Sequence, residues 1–153
     1  PTAALASKRP STSSTSGAPP AKKTLSSWLS VPPPRTPTPL VHSPPLTDRQ
    51  STFIAHATPT TSGPNALAFQ SFVRAYRAPS HPEAADHEIL GWRTLGLKVG
   101  KTGAGEGGEE DWVVRMGSDD DDEKNAGATV KRVLEEAGAV DVAVVVSRYY
   151  GGA

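Results

Sequence analysis

Val140-Asp141-Val142-Ala143-Val144-Val145-Val146-Ser147-Arg148-Tyr149 is the most apolar stretch of the chain, and its reading decides the fold. Its apolar residues run continuously instead of alternating with polar ones. Such a run predicts a strand buried on both faces or in the centre of a sheet. Strand and helix signals upstream supply the rest of a layer structure. Ser51–Thr58 (STFIAHAT) reads as a strand. A helix follows, with Gly63-Pro64-Asn65 as its start and Phe69, Phe72, Val73 and Tyr76 at helical spacing. Pro79 and Pro82 end it. His87–Val99 (HEILGWRTLGLKV) reads as extended, and Asp111–Met116 (DWVVRM) as its partner across a Gly- and Glu-rich loop, Lys101–Glu110. An acidic run, Asp119–Glu123, precedes a second helix over Ala126–Ala137, with Val130, Val133, Leu134 and Ala137 as its stripe and Gly138 as its stop. The order β-α-β-β-α-β predicts an α+β, two-layer sandwich: a mixed sheet with two helices on one face.

Composition divides the chain in two. It has 153 residues, with 16 basic and 16 acidic side chains, 15 prolines and no cysteine. Residues 1–47 hold 11 of the 15 prolines, five basic residues and no acidic one. By subtraction, residues 48–153 carry a net charge of −5. The first segment cannot bury enough apolar surface to offset the entropy of ordering it, so residues 1–47 are expected to be a disordered basic tail and residues 48–153 the folded domain. The absence of cysteine excludes disulfides and thiolate metal sites. No apolar run reaches the roughly 20 residues that span a bilayer, so no membrane partner is expected.

The tail carries three features. Lys8-Arg9 and Lys22-Lys23 have bipartite nuclear-localisation spacing, so a nuclear location is a candidate beside the cytoplasm. Leu25, Trp28 and Leu29 fall on one face of a short helix and are candidate docking residues for a partner's groove. Pro32-Pro33-Pro34-Arg35-Thr36-Pro37 favours polyproline II, and its safest reading is a linker.

Several patterns in the folded part suggest chemistry and fail on inspection. Gly96-Leu97-Lys98-Val99-Gly100-Lys101-Thr102 looks like a phosphate loop, but the pattern needs glycine where Leu95 stands, and no helix signal follows. The acidic run lacks the central glycine of a Ca²⁺ loop, and negative charge before a helix has a structural use. No metal ligand set and no cofactor site are therefore assigned. His56, His81 and His87 have no partner pattern of a catalytic triad or zinc motif. The end of the apolar strand, Ser147-Arg148-Tyr149-Tyr150-Gly151-Gly152, is more unusual: it presents a planar cation beside aromatic rings where the backbone must bend.

These pieces together resemble the IMPACT family. The carriers are the acidic turn Asp119–Glu123, the Ala126-Gly127 pair opening a helix, and Val144-Val145-Val146-Ser147-Arg148-Tyr149-Tyr150-Gly151-Gly152. Ser51–Ala57 resembles the family's opening strand, and Ala85-Asp86-His87 with Gly91-Trp92-Arg93 resembles a further strand. The resemblance covers about residues 50–152. Asp122 stands where the family usually has glycine, and the chain stops at Ala153, where the family continues, so the domain is expected to extend further.

The resemblance implies a fold similar to a small-subunit ribosomal protein domain. It implies a functional face of His87, Asp119, Asp120, Glu123, Arg148, Tyr149, Gly151 and Gly152. It also implies a non-enzymatic regulator of translation in amino-acid starvation. Such a regulator binds the large activator protein of the starvation kinase, with actin as a further partner. The alternative is an RNA- or ribosome-binding module, against which the −5 charge of the folded part argues. A third reading, an enzyme using the acidic turn, His87 and Arg148, competes with a plain structural ion pair.

Overall fold

β6 (Val142–Tyr150) runs between β3 (Ser51–Pro59) and β4 (His87–Leu97), as its valine run predicts. This is a computed structural model, which describes residues 37, 39–78, 80–102 and 107–151. Lys8, Arg9, Lys22, Lys23, Leu25, Trp28, Leu29 and Gly152 lie outside the described residues. β5 (Trp112–Asp119) forms a hairpin with β4. β1 (Val41–His42) and β2 (Leu46–Asp48) both pair with the outer edge of β3, separated by Pro44-Pro45. The result is a six-stranded sheet in the order β1-β3-β6-β4-β5, with β2 beside β3. The helices are α1 (Gly63–Ala75) and α2 (Ala126–Glu136).

The α+β class holds, and three particulars differ from the sequence reading. First, every pairing is antiparallel, so the sheet is not mixed. β3 and β4 run parallel to each other, but β6 lies between them and opposes both. Second, the sheet reaches back to Val41, into a Pro-rich segment with no strand signal of its own. Proline lacks a ladder donor and suits such an edge.

The third difference concerns the helices. α1 buries Ala66, Phe69, Phe72 and Val73 against Leu90, Ala143 and Val145. Each large side chain so buried contributes roughly 1.5–3 kcal/mol. Side chains alternate between the faces of a strand, so residue 91 of β4 points away from that core. A Cβ on Gly91 would stand 2.7 Å from Val130 Cγ1 and 2.9 Å from the Lys131 amide nitrogen. The backbone of α2 therefore lies on the face opposite α1. Arg93 has the same parity, and its Nη1 donates to the Leu134 and Ala139 carbonyls at 3.2 and 2.9 Å. A cation there suits the negative end of the helix. Helices thus flank the sheet instead of sharing one face. The cause is β4, whose residues Glu88 to Gly91 are all buried and need cover on both sides.

Local signals explain the helix ends. Ser62 Oγ accepts the Asn65 amide at 3.3 Å, and Pro64 sits in the first turn. Tyr76 is extended and closes α1 by donating to the Phe72 and Val73 carbonyls. Among the described residues, no helix is long and apolar enough to cross a membrane.

Candidate functional site

The acidic turn between β5 and α2 is built by its own carboxylates. Asp119 Oδ1 accepts the Asp121 amide at 2.9 Å. Asp120 Oδ1 and Oδ2 accept the Gly127 and Asn125 amides at 2.8 and 3.2 Å, which caps α2. Residue 127 must be glycine for this contact, because a Cβ there would meet the Asp119 carbonyl oxygen at 2.8 Å. Asp121 ties the turn to both the sheet and α1: Oδ2 accepts the Glu88 amide of β4 and Oδ1 pairs with Arg74 of α1, both at 2.7 Å. One oxygen of Asp119 and both oxygens of Asp120 are therefore engaged inside the turn. Asp121 and Asp122 take left-handed backbone, at φ 45° and 66°. That conformation is one glycine adopts without cost, which accounts for the glycine expected at position 122 by resemblance.

Because α2 lies on the face opposite α1, the turn stands over one end of that face. His87 of β4, Arg148 of β6 and Phe53 of β3 form a row there, each opposite its neighbour in the ladder. Glu123 reaches into the row. Its Oε2 lies 2.7 Å from Arg148 Nη1, 3.3 Å from the Tyr150 hydroxyl and 3.5 Å from His87 Nε2. Arg148 also donates from Nε and Nη2 to Ser51 Oγ at 3.3 and 3.2 Å. Its guanidinium carbon lies 4.4 Å from the Tyr150 ring centre and 5.6 Å from that of Phe53. Such contacts suit arginine and not lysine. His87 Nδ1 donates to the Asp121 carbonyl at 2.7 Å, which fixes the orientation of the ring. The Tyr150 hydroxyl lies 3.4 Å from His87 Nε2.

The structure brings His87, Glu123 and Arg148 together, and separates Tyr149 from them. Tyr149 has the parity of Ala143 and Val145, so it faces the α1 side, where it packs on Ile54, Ala78 and the His81 ring. Tyr150 takes the place in the cluster that the sequence reading gave to Tyr149. Gly151 lies one residue beyond, its amide donating to the Gln50 carbonyl. Ser51, Phe53, Asp86 and Asp121 also join the site, although the sequence reading placed them in the motifs of the resemblance and not on its functional face. Asp86 Oδ2 accepts the Tyr150 amide at 2.7 Å, which holds the end of β6. The two-residue period of β6 does carry the signal that separates Tyr149 from Tyr150.

Beneath the opposite face lies a buried polar pair. Ser147 Oγ donates to Glu88 Oε2 at 2.6 Å. Burial pushes the Glu88 carboxyl above the usual carboxylate range, against the opposing pull of the Ser147 hydroxyl. His56 is buried to 1 % exposure on the same face, beside Tyr76 and His42. Burial, helped by the nearby His42, lowers its pKa to about 4, so its ring is neutral in the folded state at neutral pH.

What the cluster offers is a planar cation clamped between a carboxylate, a hydroxyl and two aromatic rings. Every nitrogen of Arg148 has a partner in it. The arrangement fixes the turn over the sheet end and presents Arg148, Tyr150 and Glu123 as one rigid polar-aromatic surface.

Comparison with known proteins agrees with this architecture. Residues 49–153 match the family described as the Impact N-terminal domain. The chain is 32% identical over 111 residues to Protein IMPACT homolog of Saccharomyces cerevisiae strain S288c, covering 72% of this chain and 37% of that protein. It is also similar to a solved structure described as the two-domain translational regulator Yih1. There the identity is 31% and the TM-score 0.50, over 79% of this chain and 42% of that one. The chain thus spans about two fifths of the length of these relatives. With the family match covering well over half of its residues, the chain belongs to the Impact N-terminal domain family.

Proposed function

We propose that this chain is a non-enzymatic regulator of translation that acts in the cytoplasm by protein–protein binding. Its partner is the large activator protein of the amino-acid-starvation kinase, for which it competes, with actin as a further partner. The observation that carries this reading is the similarity, at 31% identity, to a structure described as a two-domain translational regulator. The cluster is in keeping with it. Arg148 is consumed by Glu123 and Ser51, and His87 Nδ1 is held by the Asp121 carbonyl, so the side chains form a fixed surface. Rigid arginine and tyrosine side chains are the residue types that carry binding energy at protein interfaces.

The test is starvation signalling. Cells producing the chain in excess are starved of an amino acid, and phosphorylation of the kinase's translation-factor substrate is followed. Excess chain should lower that phosphorylation, and Arg148→Glu should abolish the effect while circular dichroism shows an unchanged fold. Undiminished phosphorylation with a well-expressed, folded chain contradicts the proposal.

A further inference from the structure

We propose that His42 and His56 form a two-imidazole site for a divalent transition-metal ion of the Zn²⁺ or Cu²⁺ class. The two residues sit directly opposite each other on β1 and β3. The adjacent pair, Ser43 and Ala55, carries the ladder bond from the Ser43 amide to the Ala55 carbonyl at 2.9 Å. His42 and His56 therefore occupy the non-hydrogen-bonded position, where opposed side chains approach most closely. Their ring centres are 5.7 Å apart with planes inclined at 69°. Two imidazoles sharing one ion at about 2.0–2.1 Å from each nitrogen place their ring centres roughly 5–6 Å apart, so the rings need little adjustment.

Four further observations support ligation. His56 is buried, and its Nδ1 has no hydrogen-bond partner. A buried polar atom left unpaired is costly, and a metal ion would satisfy it. The ring is held neutral, which is the state a metal requires. Tyr76 completes the wall, with its ring centre 6.0 Å from that of His56 and stacked on His42 at 6.1 Å. His42 is exposed at the sheet edge and gives an ion a way in from solvent. Among the described residues, no group of three or more His, Asp or Glu side chains is placed to hold a metal. Solvent would then fill the remaining positions, leaving a site of exchangeable, modest affinity. Imidazole ligands favour Zn²⁺, Ni²⁺ and Cu²⁺ over Mg²⁺ or Ca²⁺. A bound ion would clip the two-residue β1 onto β3 and fix the start of the sheet edge.

The experiment is calorimetric titration of the full chain with Zn²⁺ alone in a non-chelating buffer, paired with NMR of the histidine ring nitrogens. The expected result is one ion per chain, with the resonances of His42 and His56 perturbed. His42→Ala, an exposed change that should leave the fold intact by circular dichroism, should weaken binding at least tenfold. Wild-type protein that takes up no Zn²⁺ below millimolar concentration overturns the proposal. So does undiminished affinity in His42→Ala, or perturbation confined to His87 and the acidic turn.

Discussion

Gly91→Ala is the substitution that tests the placement of α2. Replacing a strand glycine by alanine normally stabilises a protein by about 0.5–1 kcal/mol, because the unfolded chain loses freedom. Here the sign should reverse. The new methyl would lie 2.7 Å from Val130 Cγ1 and 2.9 Å from the Lys131 amide nitrogen, with a third contact at 3.0 Å to Val130 Cβ. Carbon atoms pack best at about 3.5–4 Å, so α2 would have to retreat by half an ångström or more. Overpacking of this kind costs about 1–3 kcal/mol. For a domain of this size that is a fall in Tm of roughly 4–12 °C. Urea denaturation followed by tryptophan fluorescence reads it directly. Adding Val130→Ala should recover only part of the loss, since the Lys131 contact is to backbone. A Gly91→Ala protein as stable as wild type, or more stable, would refute the placement of α2 over that face.

Three further outcomes follow from the turn and the buried histidine. Asp122→Gly should raise stability by up to about 1 kcal/mol, because φ at that position is 66°; a loss of stability in thermal melts would contradict this. Asp120→Ala should cost about 1–2 kcal/mol by leaving the Gly127 and Asn125 amides without their acceptor, with the loss appearing as faster amide exchange at the start of α2. His56 has a depressed folded pKa, so its contribution is complete above the unfolded value of 6.5 and is lost as pH falls through about 4. That loss is about 3 kcal/mol at its fullest, and His56→Gln should flatten this part of the pH–stability curve measured by urea midpoints.

The sequence made the main elements visible where local chemistry was strong. The valine run of β6, the Gly63-Pro64-Asn65 start of α1 and the Val130 and Leu134 part of the α2 stripe each appear where the structure has them, whereas Val133 and Ala137 of that stripe are exposed. The face taken by α2 was not legible. Alternation normally tells the two sides of a strand apart, but Glu88-Ile89-Leu90-Gly91 is buried on both sides and shows no alternation to read. β1 and β2 were hidden for a different reason: at two and three residues, their existence depends on pairing with β3 and not on their own sequence. In the site, the cluster of His87, Glu123 and Arg148 followed from the family resemblance. The roles of Asp119 and Asp120 did not. Asp119 engages one oxygen and Asp120 both on backbone amides a few residues away, a matter of turn geometry that composition does not encode.

The most direct test of the regulatory account is a tagged pull-down of the chain from the extract of its own cells, with and without RNase, identified by mass spectrometry. The account predicts recovery of the starvation kinase's activator protein, undiminished by RNase and lost in Arg148→Glu. Recovery of ribosomal proteins that disappears with RNase would contradict it and establish the RNA-binding alternative.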